Sequence, residues 1–214
     1  MPTSQRYKQL RQELARLRRH FLPSKWDPTG QYSDRKIDRA RAYRILAHAE
    51  IEYFIENICL DVVNREYNAW TASKKPSYVV TCLAIASMAG WEDAETADLE
   101  AKYVSPIKIR RDDDSIIQIV ERSVKQYRYI VKNNNGIKKR DIKRLIMPLG
   151  ISLADLDATW LNSMESMAGR RGLLVHTSRV GVTTPPDPLS EKQTVDGLME
   201  GLRQLDQVVA ESGT

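Results

Sequence analysis

Apolar residues recur every three or four positions along most of the 214-residue chain, which is the spacing of one face of an α-helix. Residues 4–21 show this spacing, and so does a longer stretch from 34 to about 67. No segment alternates apolar and polar residues as a half-buried strand would, and no internal repeat is present. The pattern therefore predicts an all-α, antiparallel helical bundle with additional N- and C-terminal helices.

Turn-forming residues divide the rest of the chain into further predicted helices. They cover 78–88, 93–102, 113–133, 138–147 and 190–211, and one more helix before the last of these leads to residue 176. Before the segment that leads to 176, Ser152 and Asp155 resemble a capping box with Asp in place of Glu. We expect three parts: a basic N-terminal helix and loop at 1–30, a helical domain at 31–184, and a C-terminal helix within 185–214 that packs on the bundle.

The composition is that of an ordinary globular protein, with 42% hydrophobic and 29% charged residues. No apolar run approaches the roughly 20 residues that a membrane helix needs, and the basic N-terminus lacks the apolar core of a signal peptide. Cys59 and Cys82 lie in apolar helical patterns, which is typical of free thiols in a reducing compartment. We expect a cytoplasmic protein that has no membrane partner. Because CxxC, HExxH, GxGxxG and phosphate-loop motifs are absent, we expect no metal and no cofactor.

The net charge of +5 is concentrated in two basic clusters. Residues 1–22 hold six basic residues and one acid, and residues 122–144 hold nine basic residues and one acid. Such clusters are typical of nucleic-acid binding, although a solvated helix face or a site for an acidic protein would use the same residues. In the second cluster Tyr127 and Tyr129 stand among the cations, so we expect phosphate contacts with base stacking. The cations predicted to bind RNA are Lys125, Arg128, Lys132, Lys138, Lys139, Arg140, Lys143 and Arg144.

An arginine and a histidine stand five residues apart in the sequence Arg171-Gly-Leu-Leu-Val-His176. Histidine can move a proton near neutral pH, and arginine binds phosphate through a fixed set of donors. Five residues turn a helix by about 140°, so the two side chains do not share one face. Two such helices meeting across a two-fold axis would bring both pairs into one cleft, and Gly169 and Gly172 permit close approach. The alternatives are a histidine that interacts with the helix dipole and a solvated arginine.

The long early helix also carries polar residues of interest. Glu50 falls in the same sector as apolar residues, where a carboxylate needs a partner. It would orient His176, bind Arg171, or form a structural salt bridge with another helix. His48, Glu52 and Glu56 are spaced by four residues, which favours a solvated polar face over a metal site.

Two segments resemble a known family. Residues 149–178 resemble the end of a HEPN (higher eukaryotes and prokaryotes nucleotide-binding) domain, whose hallmark is Arg, four to six residues, then His near the end of a long helix. Residues 41–56, which contain the run His48-Ala-Glu-Ile-Glu52, are similar to the early helix of some HEPN groups. The family usually has Asn after the Arg, where this chain has Gly172. Some HEPN proteins act on nucleotides through a Tyr two residues after the His, where this chain has Ser178.

The resemblance implies a homodimeric, metal-independent endoribonuclease that acts as a toxin or antiviral effector. Arg171 would hold the scissile phosphate, and His176 would move a proton between the 2′-hydroxyl and the leaving 5′-oxygen. Glu50, Arg170 and Thr177 are the supporting candidates. The expected partners are RNA, a second copy of the chain, and an antitoxin or other regulatory protein. The alternatives are a non-catalytic HEPN module that binds RNA or nucleotides, and a helical interaction protein in which the motif helix is a dimer seam.

Overall fold

The computed structural model describes residues 3–89, 113–176 and 185–212. These residues form seven α-helices and two short 3-10 turns, at Met147–Leu149 and Leu153–Asp155, and contain no strand. The α-helices are α1 (Gln5–Phe21), α2 (Asp34–Ser73), α3 (Tyr78–Ala89), α4 (Asp113–Lys132), α5 (Lys139–Ile146), α6 (Ala158–His176) and α7 (Pro188–Glu211). The all-α bundle is confirmed, while the acidic helix predicted at 93–102 lies outside the described residues.

Helix α2 is the centre of the bundle. It has 40 residues, which makes it about 60 Å long, and it contacts all six of the other described α-helices. Its buried side chains cover about 200° of its circumference, which is wider than the stripe of a surface helix; they include Tyr43, Ile51, Phe54, Ile58 and Val62. Because more than half of its surface is buried and it contacts every other described α-helix, the rest of the described chain is arranged around α2.

The first and last helices are joined by hydrogen bonds at the start of α1. The Ser4 hydroxyl accepts from the Tyr7 amide at 3.1 Å, which caps α1, and it donates to Asp206 of α7 at 2.6 Å. The Ser4 amide donates to the same carboxylate at 2.8 Å. The Tyr7 hydroxyl donates to the Met199 carbonyl at 3.0 Å, so α1 and α7 are fixed side by side against α2.

Helix α7 is held to α2 and α6 by two buried contacts. Arg44 of α2 makes a two-point ion pair with Glu191, and the two side chains are only 12% and 4% exposed. Trp160 of α6 donates from its indole nitrogen to the Leu198 carbonyl at 3.1 Å. Its ring lies over Gly201, where a Cβ atom would come within 2.2 Å of it. The small residue at 201 therefore lets α6 and α7 approach.

The structure differs from the predicted boundaries at three places. Helix α2 continues to Ser73, because its apolar pattern extends to the buried Trp70. The capping box of Ser152 and Asp155 is present, but it heads a 3-10 turn, and α6 begins only at Ala158. Helix α7 starts at Pro188 rather than 190, since proline fits the first turn of a helix.

Candidate active site

The arginine and histidine of the motif lie in the last two turns of α6, which packs against α2, α5 and α7. Its buried side includes Trp160, Leu161, Met164, Met167 and Ala168. Arg171 is half-buried, and the neighbouring Arg170 is exposed. The side chain of His176 and all of Thr177 lie outside the described residues. Arg171 is thus the member of the motif whose surroundings are defined.

Arg171 faces the early helix. Its positive charge lowers the pKa of both His48 and Glu52 on α2, so its guanidinium group lies within electrostatic reach of both side chains. The Arg171 Nε atom is buried and makes no hydrogen bond to a described residue. The two segments that resemble HEPN domains, 41–56 and 149–178, are therefore neighbours in the folded chain.

His48 is buried in this cluster, with 1% of its surface exposed. Its Nδ1 atom is 3.6 Å from a Glu52 carboxylate oxygen, which is too long for a hydrogen bond, and it has no hydrogen-bond partner among the described residues. Burial lowers the pKa of His48 to about 4, the charge of Arg171 acts in the same direction, and Asp141 on α5 opposes it. His48 is therefore neutral at physiological pH.

Two carboxyl groups continue the row along α2. Burial raises the pKa of Glu52, and Glu56 raises it further, while Arg171 acts against the shift. Burial also raises the pKa of Glu56, against a hydrogen bond of 2.9 Å that it accepts from Asn134. The prediction that His48, Glu52 and Glu56 form a solvated face is therefore wrong. The turn after α4, the first residues of α5 and the end of α6 cover this side of α2.

Glu50 lies on a different side of α2. Burial raises the pKa of Glu50, Glu13 of α1 raises it further, and Arg16 of α1 acts against the shift. Residues 50 and 52 are separated by about 200° around a helix, so they cannot face the same neighbour. Among the described carboxylates of α2, the one whose pKa responds to Arg171 is Glu52. The spacing of four between His48 and Glu52 was the signal in the sequence, but it does not reveal which element covers that face.

The α4 part of the second basic cluster is mostly exposed. Lys125, Arg128 and Lys132 lie at spacings of three and four and share one exposed face of α4. Arg128 donates to the Asn64 side chain of α2 at 2.6 Å and lies 5.7 Å from the ring centre of Tyr67.

The two tyrosines of this cluster differ. The prediction that Tyr127 stacks on bases is wrong, because its ring is fully buried and its hydroxyl donates to the Leu145 carbonyl at 2.7 Å. Tyr129 is 37% exposed.

The α5 part of the cluster adjoins the surroundings of Arg171. The Lys138 amide donates to Asp141 at 3.0 Å, and the Lys139 amide donates to Glu165 of α6 at 2.9 Å. Glu165 precedes Arg171 by six residues, which is about 9 Å along α6. Lys138, Arg140 and Lys143 are exposed, and Lys139 and Arg144 are half-buried. Cations at the start of α5 thus lie beside the helix that carries the motif.

Among the described residues no group of three His, Cys, Asp or Glu side chains is arranged to hold a metal ion. A guanidinium group near a neutral imidazole is suited to binding a phosphate, because the guanidinium group provides fixed positive charge and a planar set of donors. Within the described residues no helix is both long and apolar enough to span a membrane.

Comparison with known proteins gives the family. No curated protein and no solved structure matches the chain significantly. The sequence model of the RiboL-PSP-HEPN family matches residues 6–209, which include every described α-helix except the first residue of α1 and the last two of α7. The resemblance to HEPN domains is therefore confirmed, and the chain belongs to the RiboL-PSP-HEPN family.

Proposed function

We propose that this protein is a metal-independent endoribonuclease whose catalytic residues are Arg171 and His176. The observation that carries the proposal is the placement of Arg171. It stands near the end of α6 in a HEPN-family chain, half-buried, with its Nε atom unpaired among the described residues and with the buried His48 and the half-buried Glu52 within reach of its charge. Glu52 acts as a positioning residue that attracts the guanidinium group by its opposite charge, and the α5 cations beside the site attract the RNA backbone.

The reaction is a transesterification that needs no water or metal. The RNA 2′-oxygen attacks the adjacent phosphorus and gives up its proton, the bond from phosphorus to the 5′-oxygen breaks, and the 5′-oxygen receives a proton. The products are a 2′,3′-cyclic phosphate and a 5′-hydroxyl. Arg171 stabilises the charge that develops on the phosphate oxygens, and His176 transfers the protons. The need for a 2′-hydroxyl restricts the activity to RNA.

We further propose that the active form is a homodimer with a composite cleft. Gly169 is exposed and Gly172 is half-buried, and a Cβ atom added at either would meet nothing within 4 Å. Packing within the described chain therefore gives no reason for two glycines, each of which costs about 1 kcal/mol in a helix interior. A second α6 crossing at this point supplies one. Replacing Gly172 with Trp should then abolish dimerisation in sedimentation and cleavage together, and a fully active monomer would exclude the composite cleft.

The central experiment is cleavage of single-stranded RNA in EDTA. Wild-type protein should produce 2′,3′-cyclic phosphate ends, and Arg171→Ala and His176→Ala should each reduce the rate by at least about 100-fold while helical content stays unchanged. The matched control is Arg203→Ala, which removes an arginine that pairs with Glu200 on the surface of α7. If the wild type binds RNA but does not cut it, the chain is the non-catalytic HEPN module instead. Inhibition by EDTA would exclude the metal-free mechanism.

The role as a toxin or antiviral effector, held in check by an antitoxin or other regulatory protein, is part of this proposal. Expression should arrest growth, and His176→Ala should relieve the arrest. Lys139→Glu, Arg140→Glu and Lys143→Glu together should weaken RNA binding at all sequences, because contacts to phosphate carry no sequence information. Unchanged RNA affinity in this triple variant would instead indicate that the cluster binds a protein.

A further inference from the structure

A second cationic surface lies at the junction of α1 and α2. The end of α1, the loop after it and the first turns of α2 enclose a groove of about 710 Å³. Five of the ten residues that line it are cations and none is an acid. All five cations are exposed; they are Arg18, Arg19, Lys25, Lys36 and Arg39.

The groove continues along α1. A neighbouring depression of about 430 Å³ is lined by Lys8, Arg11 and Gln12 and shares Ala15 and Arg19 with the first. The α1 positions that line the two lie within about 120° of helix rotation and span about 17 Å. The two depressions form one strip of seven cations, which we call the α1–α2 groove.

The charge of this strip is largely unneutralised within the described chain. Glu13 pairs with Arg16 at 2.6 Å, and Asp38 lies 3.8 Å from Arg41. Asp27 accepts from Thr29 at 2.6 Å, and this hydrogen bond, with a smaller effect of the Lys36 charge, lowers the pKa of Asp27. None of the seven cations forms an ion pair with a described residue. Seven like charges gathered along one groove favour a ligand with regularly spaced negative charges.

We propose that the α1–α2 groove binds single-stranded RNA as a surface separate from the Arg171 site. The identity of the polyanion as RNA rests on the proposed function. A protein partner would need apolar anchors, and none of the exposed large apolar side chains of the described chain lies in the groove. A phosphate backbone needs only the cations, and the partly buried Trp26 offers an aromatic surface to a base.

The groove and the Arg171 site face different sides of α2. Arg39 and His48 are nine residues apart, which places them about 14 Å apart along the axis and about 180° apart around it. An RNA long enough to reach both surfaces gains affinity from the groove, whereas a short RNA bound at Arg171 does not. The groove therefore makes the enzyme select long, flexible strands.

The test compares two triple variants that lose the same charge. Arg18→Gln, Arg19→Gln and Arg39→Gln alter the groove, and Arg6→Gln, Lys192→Gln and Arg203→Gln alter surface cations that have acidic partners. Binding of a 2′-O-methyl RNA of about 40 nucleotides is measured by fluorescence anisotropy across a range of salt concentrations. Circular dichroism and thermal unfolding verify that both variants are folded.

The groove variant should bind the long RNA about tenfold or more weakly, and its slope of log K against log salt should be shallower by about 2, since each phosphate contact contributes about 0.7. The control variant should bind like the wild type. With cleavable RNA, KM for the long substrate should rise with kcat unchanged, and cleavage of an RNA of about four nucleotides should not change.

The proposal is overturned if the groove variant keeps the wild-type affinity and slope, or if both variants lose affinity equally. It is also overturned if the wild type binds vesicles of phosphatidylserine and not RNA. Absence of cleavage by the wild type would contradict the proposed function alone, because the binding measurement uses an RNA that cannot be cut.

Discussion

His48 should make the stability of this protein fall in mild acid. An ordinary histidine has a pKa of 6.5, whereas burial and Arg171 lower the pKa of His48 to about 4 in the folded chain. Between these two values the unfolded chain binds a proton at residue 48 and the folded chain does not, so acid favours unfolding. The stability contributed by neutral His48 is complete above pH 6.5 and is lost as the pH falls towards 4.

The size of the effect follows from the two pKa values. A difference of 6.5 − 4 = 2.5 corresponds to about 3 kcal/mol when the transition is complete. At pH 5, where the folded histidine is still mostly neutral, the expected loss is about 2 kcal/mol. The raised pKa values of Glu52 and Glu56 act in the opposite direction, because these carboxyl groups take up protons more readily in the folded chain. A variant is therefore needed to isolate the histidine.

The assay is urea unfolding of the wild type and of His48→Gln at pH 7.5 and pH 5. Glutamine keeps a polar side chain but does not titrate, so this variant should lose about 2 kcal/mol less than the wild type between the two pH values. The comparison uses the change with pH, so any constant cost of the substitution cancels. The control His20→Gln alters an exposed histidine of α1. Its loss of unfolding free energy between pH 7.5 and pH 5 should equal that of the wild type. Equal losses in the wild type and His48→Gln would refute the inference that His48 is neutral and buried beside Arg171.

Two further substitutions test how α7 is held. Glu191→Ala leaves Arg44 buried without its partner and should reduce the free energy of unfolding by about 3 to 5 kcal/mol, whereas Glu200→Ala, which breaks an exposed pair, should cost less than about 1 kcal/mol in the same urea titration. Gly201→Ala places a Cβ atom against the Trp160 ring and should destabilise by about 1 to 3 kcal/mol, whereas Gly197→Ala on the same helix meets nothing within 4 Å and should be neutral or stabilising by up to about 1 kcal/mol. Equal melting temperatures for Gly201→Ala and Gly197→Ala would contradict the close packing of α6 on α7.

Helix positions could be predicted from the sequence because each described helix buries an apolar face whose spacing is visible locally. The positions where prediction failed are those that depend on tertiary packing. Tyr127 is an exception, because it continues the apolar row of Val120, Val124 and Val131, so the local helical spacing already indicates that it faces the core. The 3-10 turn at Leu153–Asp155 has the same capping residues as an α-helix, and only the start of α6 at Ala158 shows that the turn does not continue.

The site was predictable in part for the same reason. Arg171 could be identified because the motif is local and lies at the end of one helix. Its neighbours could not, since His48 and Glu52 form a polar row on a helix that also carries apolar faces, and a polar row is usually solvated. The row is covered by residues from the turn at 134, from α5 and from α6, which only the folded chain brings together.

The burial of this row also bears on why it exists. A neutral histidine and two carboxyl groups of raised pKa do not hold α2 in place, because apolar side chains of similar size would pack there at lower cost. Where the described fold needs a polar contact for stability, it uses pairs that satisfy each other, such as Arg44 with Glu191 or Ser4 with Asp206. His48 and Arg171 differ, since each keeps a buried nitrogen without a hydrogen-bond partner among the described residues, as Arg41 of α2 also does. The phosphate chemistry that we propose at Arg171 gives such groups a role beside the motif, which the stability of the bundle does not.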